Sequence, residues 1–177
     1  MAQAQDALEI VEQRERAAVM VWLDGGWGGD ALVRRQTRPH DDVDVVIAPE
    51  QARLAEETLR RAGSLVAEDE RPTRFVRARS PGAKYDFHPV TFDQKGNGIG
   101  QLADGADFHS PREGFTGMGQ VGDQMIRCLP AEAQVLSHVG HEPDEEDVHD
   151  MQQLQEHFQL DLPAPYRQLL NGKDRNY

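Results

Sequence analysis

Two aspartates one residue apart, Asp42 and Asp44 in "DDVDVVI", could together do chemistry that neither could do alone. A β-strand sends residues i and i+2 to the same face, so the two carboxylates point together at the mouth of the apolar run Val45-Val46-Ile47. A same-face pair of charges beside a buried strand is costly without a cation. Mg²⁺ takes hard oxygen ligands and shares them with substrate phosphates, so the pair suits one or two Mg²⁺ ions. Two such ions serve a phosphoryl or nucleotidyl displacement, one activating the attacking oxygen and the other steadying the leaving group. That chemistry wants a third acid. Asp86 in "KYDFHPV" supplies one if its strand folds beside the first, where it can bridge to a metal or take the proton of an attacking hydroxyl. Upstream, Gly25 and Gly26 allow backbone to approach a phosphate closely, and turn amides can form an anion-binding nest.

The elements that must position these residues follow from periodicity and punctuation. Residues 4–20 carry apolar positions such as Leu8 at helical spacing and read as an amphipathic first helix. A short apolar piece and a glycine-dense turn follow, with a second helix expected from about Asp30 to Arg35. "DVDVVIA" reads as a strand buried on both faces at its far end. "PEQARLAEETLRRAG" has proline at the start of a helix and Gly63 just past its end. Residues 73–80 and 83–92 predict a hairpin joined by a Ser-Pro-Gly turn. Residues 93–122 hold eight of the sixteen glycines and so read as loops with short strands, before a last strand at "MIRCLP". Two helical segments follow Ala131, and the polar tail after Pro163 is expected to be loosely held. The order predicts an α/β (α+β) domain in which a small mixed sheet is flanked by helices and closed by C-terminal helices. Residues 1–130 would form the catalytic domain, and residues 131–177 a helical extension packed on it.

Composition narrows the partners. A net charge of −12, from 31 acidic against 19 basic residues, argues against binding nucleic acid through its phosphates and suits metal ions or a cationic ligand. No apolar stretch is long enough to span a membrane, so the chain is expected to be cytoplasmic. The single cysteine, Cys128, reads as a buried packing thiol. His40 and His88 flank the acids and read as hydrogen-bonded structural histidines, since Mg²⁺ prefers oxygen. Trp22 and Trp27 are expected to pack the turn against the first helix, and "EPDEEDVHD" to be a solvated, acidic helix N-terminus.

A double glycine followed by an Asp-x-Asp strand and a later acid, "GGWGGDALVRRQTRPHDDVDVVI" and then "DFHPV", resembles the signature of the small antibiotic nucleotidyltransferases. This is the aminoglycoside 2''-nucleotidyltransferase and lincosamide nucleotidyltransferase group of the DNA polymerase β-like nucleotidyltransferase superfamily. The resemblance continues through "CLPAEAQVLSHVGHEPDEEDVHDMQQL" and covers roughly residues 20–160. Gly29 stands where that pattern would place a larger apolar residue. The resemblance implies a nucleotidyltransferase fold and an adenylyltransferase type of reaction, in which a nucleoside monophosphate passes from ATP or another NTP to a drug hydroxyl and pyrophosphate leaves. Asp42 and Asp44 would bind two Mg²⁺ ions, and Asp86 would complete the metal site or act as base. Gly25 and Gly26, with Arg35 or Arg38 chosen on charge and proximity, would meet the triphosphate. The partners would be an NTP and an aminoglycoside or lincosamide, with no nucleic acid and no membrane, and the chain a monomer or homodimer. The alternatives are a non-catalytic relative that binds nucleotide or protein, and an enzyme acting on an unrelated metabolite.

Overall fold

The computed structural model describes residues 1–17, 19–79 and 82–173. Helix α1 (Ala4–Ala17) leads into strand β1 (Val21–Asp24), helix α2 (Gly25–Val33), strand β2 (Asp42–Ile47) and helix α3 (Pro49–Arg61). Strands β3 (Leu65–Glu70), β4 (Arg74–Ala78) and β5 (Lys84–Phe92) complete the main sheet, in the order β1-β2-β5-β4-β3. Of the expected hairpin, β4 and β5 pair antiparallel, while Ser80 and Pro81 of its turn lie outside the described residues.

β2 is central. It pairs antiparallel with β1 and parallel with β5, and the parallel register sets Asp44 opposite Asp86. Its Val43, Val45 and Ile47 join Leu23, Tyr85 and Phe87 in a core closed by Ile10, Trp27 and Leu59 from the helices. The other face is apolar only toward its far end, where Trp22, Val46 and Leu129 cluster. Trp22 packs there against Phe92 and Phe115, with ring centroids 5.5 Å away in each case. Cys128 is buried, and burial pushes its thiol up to about 12.

The long β5 continues past the main sheet to pair with β6 (Gly98–Gln101), which pairs with β7 (Asp107–Ser110). A 3₁₀ turn (Arg112–Phe115) and the hairpin β8 (Met118–Val121) and β9 (Gln124–Arg127) follow. Helices α4 (Ala131–Ser137), α5 (Glu145–Phe158) and α6 (Ala164–Lys173) share a second apolar cluster, which Leu32 of α2 joins to the first unit.

Three expectations need correction. The glycines Gly25 and Gly26 are the first turn of α2, so that helix starts five residues earlier than Asp30. Glycine's poor helix propensity hides this, and what starts the helix is the Asp24 cap, whose carboxylate accepts from the Gly25 amide at 2.8 Å. β3 goes unpredicted because all six residues are exposed, so no face-to-face alternation marks it. The tail is not loose as far as Lys173. Leu162 and Tyr166 are buried, and Tyr166 donates to the His138 carbonyl at 2.7 Å.

Gly29 lies inside α2, is buried, and a Cβ built on it meets nothing within 4 Å. Gly29→Ala should therefore raise stability by about 0.5–1 kcal/mol, through lower unfolded-state entropy with no clash. Urea denaturation will show this as a higher midpoint at unchanged slope.

Candidate active site

Register brings five titratable side chains to one face of the sheet. Asp44 is flanked by its β1 partner Asp24 and its β5 partner Asp86, while Asp42 and His88 lie two residues away along their own strands. Carboxylate oxygens of Asp44 and Asp86 and a ring nitrogen of His88 all lie within 4.8 Å of one another, a spacing that can hold a metal ion. Asp42 is outside that closest set. Its carboxyl is nonetheless pushed up to about 6, by burial first and then by the charges of Asp44 and Asp86. The structure thus brings the three acids picked from sequence onto one surface.

His88 donates to Asp44 Oδ1 at 3.3 Å and stands 3.8 Å from Asp86. Burial opposes a charge on this ring, but the bond to Asp44 and the charges of Asp44, Asp86 and Asp24 prevail and raise it to about 9. His40, by contrast, is fully structural. It bonds Asp30 at 2.6 Å under the Trp27 ring, and Asp30 also accepts from Thr37, which ties the loop before β2 back onto α2.

Two residues that sequence reasoning passed over belong to the site. Arg74, next to the β4–β5 pairing, donates to Asp86 Oδ2 at 2.7 Å and is itself held by Glu70 at 2.9 Å and by Glu68. This fixes the Asp86 carboxylate and leaves Oδ1 buried without a hydrogen bond among the described residues, His88 standing 3.8 Å from it. Asp24 is the other. Besides capping α2, it accepts from Ser137 at 3.0 Å, and burial raises its carboxyl above the ordinary range. Its position directly before "GG", where a cap is wanted, was the signal available.

Burial first, and then the charge of Asp44, raises the carboxyls of Asp24, Asp42 and Asp86, and a hard divalent cation among them would relieve both costs. The residues present fit Mg²⁺. Gly25 backs them closely, with φ +57° and a notional Cβ only 2.3 Å from Asp44 Oδ2.

The arginines expected at the phosphates lie elsewhere. Arg38 bonds Asp150 through two nitrogens, at 2.9 and 2.7 Å, and also pairs with Glu146. Arg35 bonds Gln153 at 2.9 Å on the exposed side of α5. Neither lines the cavity of about 790 Å³ that opens in front of Asp24, Asp44 and His88. That cavity is roofed by the β6–β7 extension and walled by α4 and the loop after it, through Leu102, Phe108, Leu136 and Val139. Among the described residues, no helix is long and apolar enough to cross a membrane.

Residues 6–154 match the model of a protein family described as aminoglycoside-2''-adenylyltransferase. A lincosamide resistance protein of Staphylococcus haemolyticus is 28% identical over 145 residues, which are 82% of this chain and 89% of that protein. The crystal structure of the lincosamide antibiotic adenylyltransferase LnuA with lincomycin bound has a TM-score of 0.78 at 26% identity, covering 87% of this chain and 97% of that one. ANT(2'')-Ia in complex with adenylyl-2''-tobramycin shares the fold, with a TM-score of 0.71 at 18% identity over 98% of this chain and 97% of that one.

Proposed function

The chain belongs to the aminoglycoside-2''-adenylyltransferase family and is a nucleotidyltransferase, and from that premise we propose that it transfers AMP from ATP, with Mg²⁺, to a hydroxyl of a lincosamide-type antibiotic. The observation that carries the acceptor is the cavity. Acids occupy one end, and the large side chains Leu102, Leu136 and Val139, about half exposed, form an apolar wall at the other. Exposed apolar surface gathered in a cleft beside reactive groups suits an amphiphilic ligand. The lincosamide relatives, at 28% and 26% identity, support the same choice.

In this reading Asp42 and Asp44 hold Mg²⁺ and Asp86 completes the set from the neighbouring strand. The bound ions would supply charge neutralisation at the phosphates and activation of the attacking oxygen. The rest is the work of the chain. The amides at the α2 N-terminus receive the triphosphate. Arg74 fixes the Asp86 carboxylate beside Asp44, and in this reading that carboxylate takes the proton of the acceptor hydroxyl. The hydroxyl oxygen forms a bond to the α-phosphorus, the bond from that phosphorus to the bridging oxygen breaks, and pyrophosphate leaves.

An aminoglycoside acceptor is the second reading, favoured by the further acids Glu113, Glu132 and Asp147 on the cavity rim. Incubation with ATP, Mg²⁺ and either lincomycin or tobramycin, followed by mass spectrometry, separates the two. We expect an AMP adduct on lincomycin, lost on chelation of divalent ions and restored by Mg²⁺. An adduct on tobramycin alone would favour the second reading. Tight nucleotide binding with no adduct on either would indicate a non-catalytic relative.

A further inference from the structure

The cavity has a second polar pole, at the junction of α4 and α5, that the transfer chemistry leaves unused. Ser137, His138, His141 and Asp147 line it. Their arrangement is tightly determined. His138 donates from Nδ1 to the Gln134 carbonyl at 2.7 Å, and its own carbonyl is held by Tyr166. His141 donates to Asp147 Oδ2 at 2.9 Å, and the Asp144 amide donates to the same oxygen at 3.0 Å. Asp147 Oδ1 makes no hydrogen bond among the described residues and stands in ion-pair range of His138 Nε2, at 3.8 Å. A carboxylate oxygen on a cavity wall is thus left as an acceptor, with its partner oxygen fixed from two sides.

The sign of the charge decides what can bind there. The first turn of α5 adds Glu145 to Asp147, Glu146 being paired with Arg38, so the pole repels a triphosphate and attracts a cation. It also lies next to the reacting acids. Ser137 bonds Asp24 at 3.0 Å, and Asp24 is the β-sheet partner of Asp44. Leu136 and Val139, 52% and 53% exposed, flank the pole with apolar surface. A ligand that satisfies all of this carries a protonated amine, an apolar arm and, a few atoms away, a hydroxyl.

We propose that Asp147, oriented by His141 and the Asp144 amide, forms the subsite that takes the protonated amine of the acceptor and so directs the acceptor hydroxyl toward Asp44 and Asp86. The inference rests on the reading of the cavity as an antibiotic acceptor site. Asp147→Asn keeps the shape and the bond from the Asp144 amide while removing the charge, and His141→Ala removes an exposed orienting group. For Asp147→Asn we expect KM for lincomycin to rise about tenfold or more, with KM for ATP within about twofold of wild type and an unchanged melting temperature. His141→Ala should shift the same parameter less. An unchanged KM for lincomycin, or a KM for ATP that rises in step with it, would overturn the assignment. The two readings fail separately. If wild type makes no adduct, calorimetric titration with lincomycin and with tobramycin still reports the subsite. Binding that Asp147→Asn weakens supports it while the transfer reading falls. Binding indifferent to the substitution, or no binding of either drug by wild type, removes it.

Discussion

Asp44→Asn is expected to lower kcat by about a thousandfold or more, with little change in KM for either substrate. Asparagine preserves the volume and one acceptor oxygen, so β2 keeps its register between β1 and β5. What it removes is the charge at the centre of the same-face set, between Asp24 and Asp86. In the proposed mechanism that charge holds Mg²⁺, and a neutral amide is a much poorer ligand for a hard dication. His88 also loses the partner whose bond and charge do most to raise its imidazole. The expected signature is therefore a higher Mg²⁺ requirement together with the fall in kcat, read by titrating the metal at saturating ATP and drug. The global melting temperature should not fall, because fewer like charges crowd this surface. A variant retaining wild-type turnover at low Mg²⁺ would sink the proposed metal role of Asp44.

The three acids were legible in sequence for a physical reason. Strand alternation is strict, so Asp42 and Asp44 had to share a face, and the apolar residues after them announced a buried strand. Nothing local fixed the partner strand, and the parallel β2–β5 register that sets Asp86 beside Asp44 is a tertiary fact. Arg74 and Asp24 escaped for the same reason. Each is an ordinary polar residue until pairing places it at the site, Arg74 against Asp86 and Asp24 against Ser137. Charge and nearness in sequence chose Arg35 and Arg38, whereas α5, over 100 residues later, supplies Asp150 to hold Arg38. Elements fared likewise. α3 carried proline and glycine punctuation and was found at Pro49–Arg61, while α6 was hidden because its anchoring rests on Leu162 and Tyr166 within a polar tail.

Gly25→Ala should be nearly as damaging as loss of the carboxylate itself, though by displacement rather than by charge. Gly25 has φ +57°, a region that costs an L-residue about 1–2 kcal/mol. Its added Cβ would stand 2.3 Å from Asp44 Oδ2, 3.0 Å from Cγ and 3.2 Å from Cβ. The clash falls along the whole side chain, so rotating the carboxylate does not relieve it, and either Asp44 or the start of α2 must move. A displacement on the order of 1 Å in a catalytic group costs about a hundredfold in rate. We therefore expect kcat to fall at least that far, alongside a stability loss of about 1–2 kcal/mol from the backbone strain. Gly26→Ala separates the two causes. Its Cβ would press on His40 Nδ1 at 2.3 Å and Arg38 Nη2 at 2.9 Å, on the side away from the acids. That variant should lose stability while holding more of its kcat than Gly25→Ala. Equal kcat in the two variants would mean that the close approach of Gly25 to Asp44 has no catalytic consequence, and that the double glycine serves only the entry into α2.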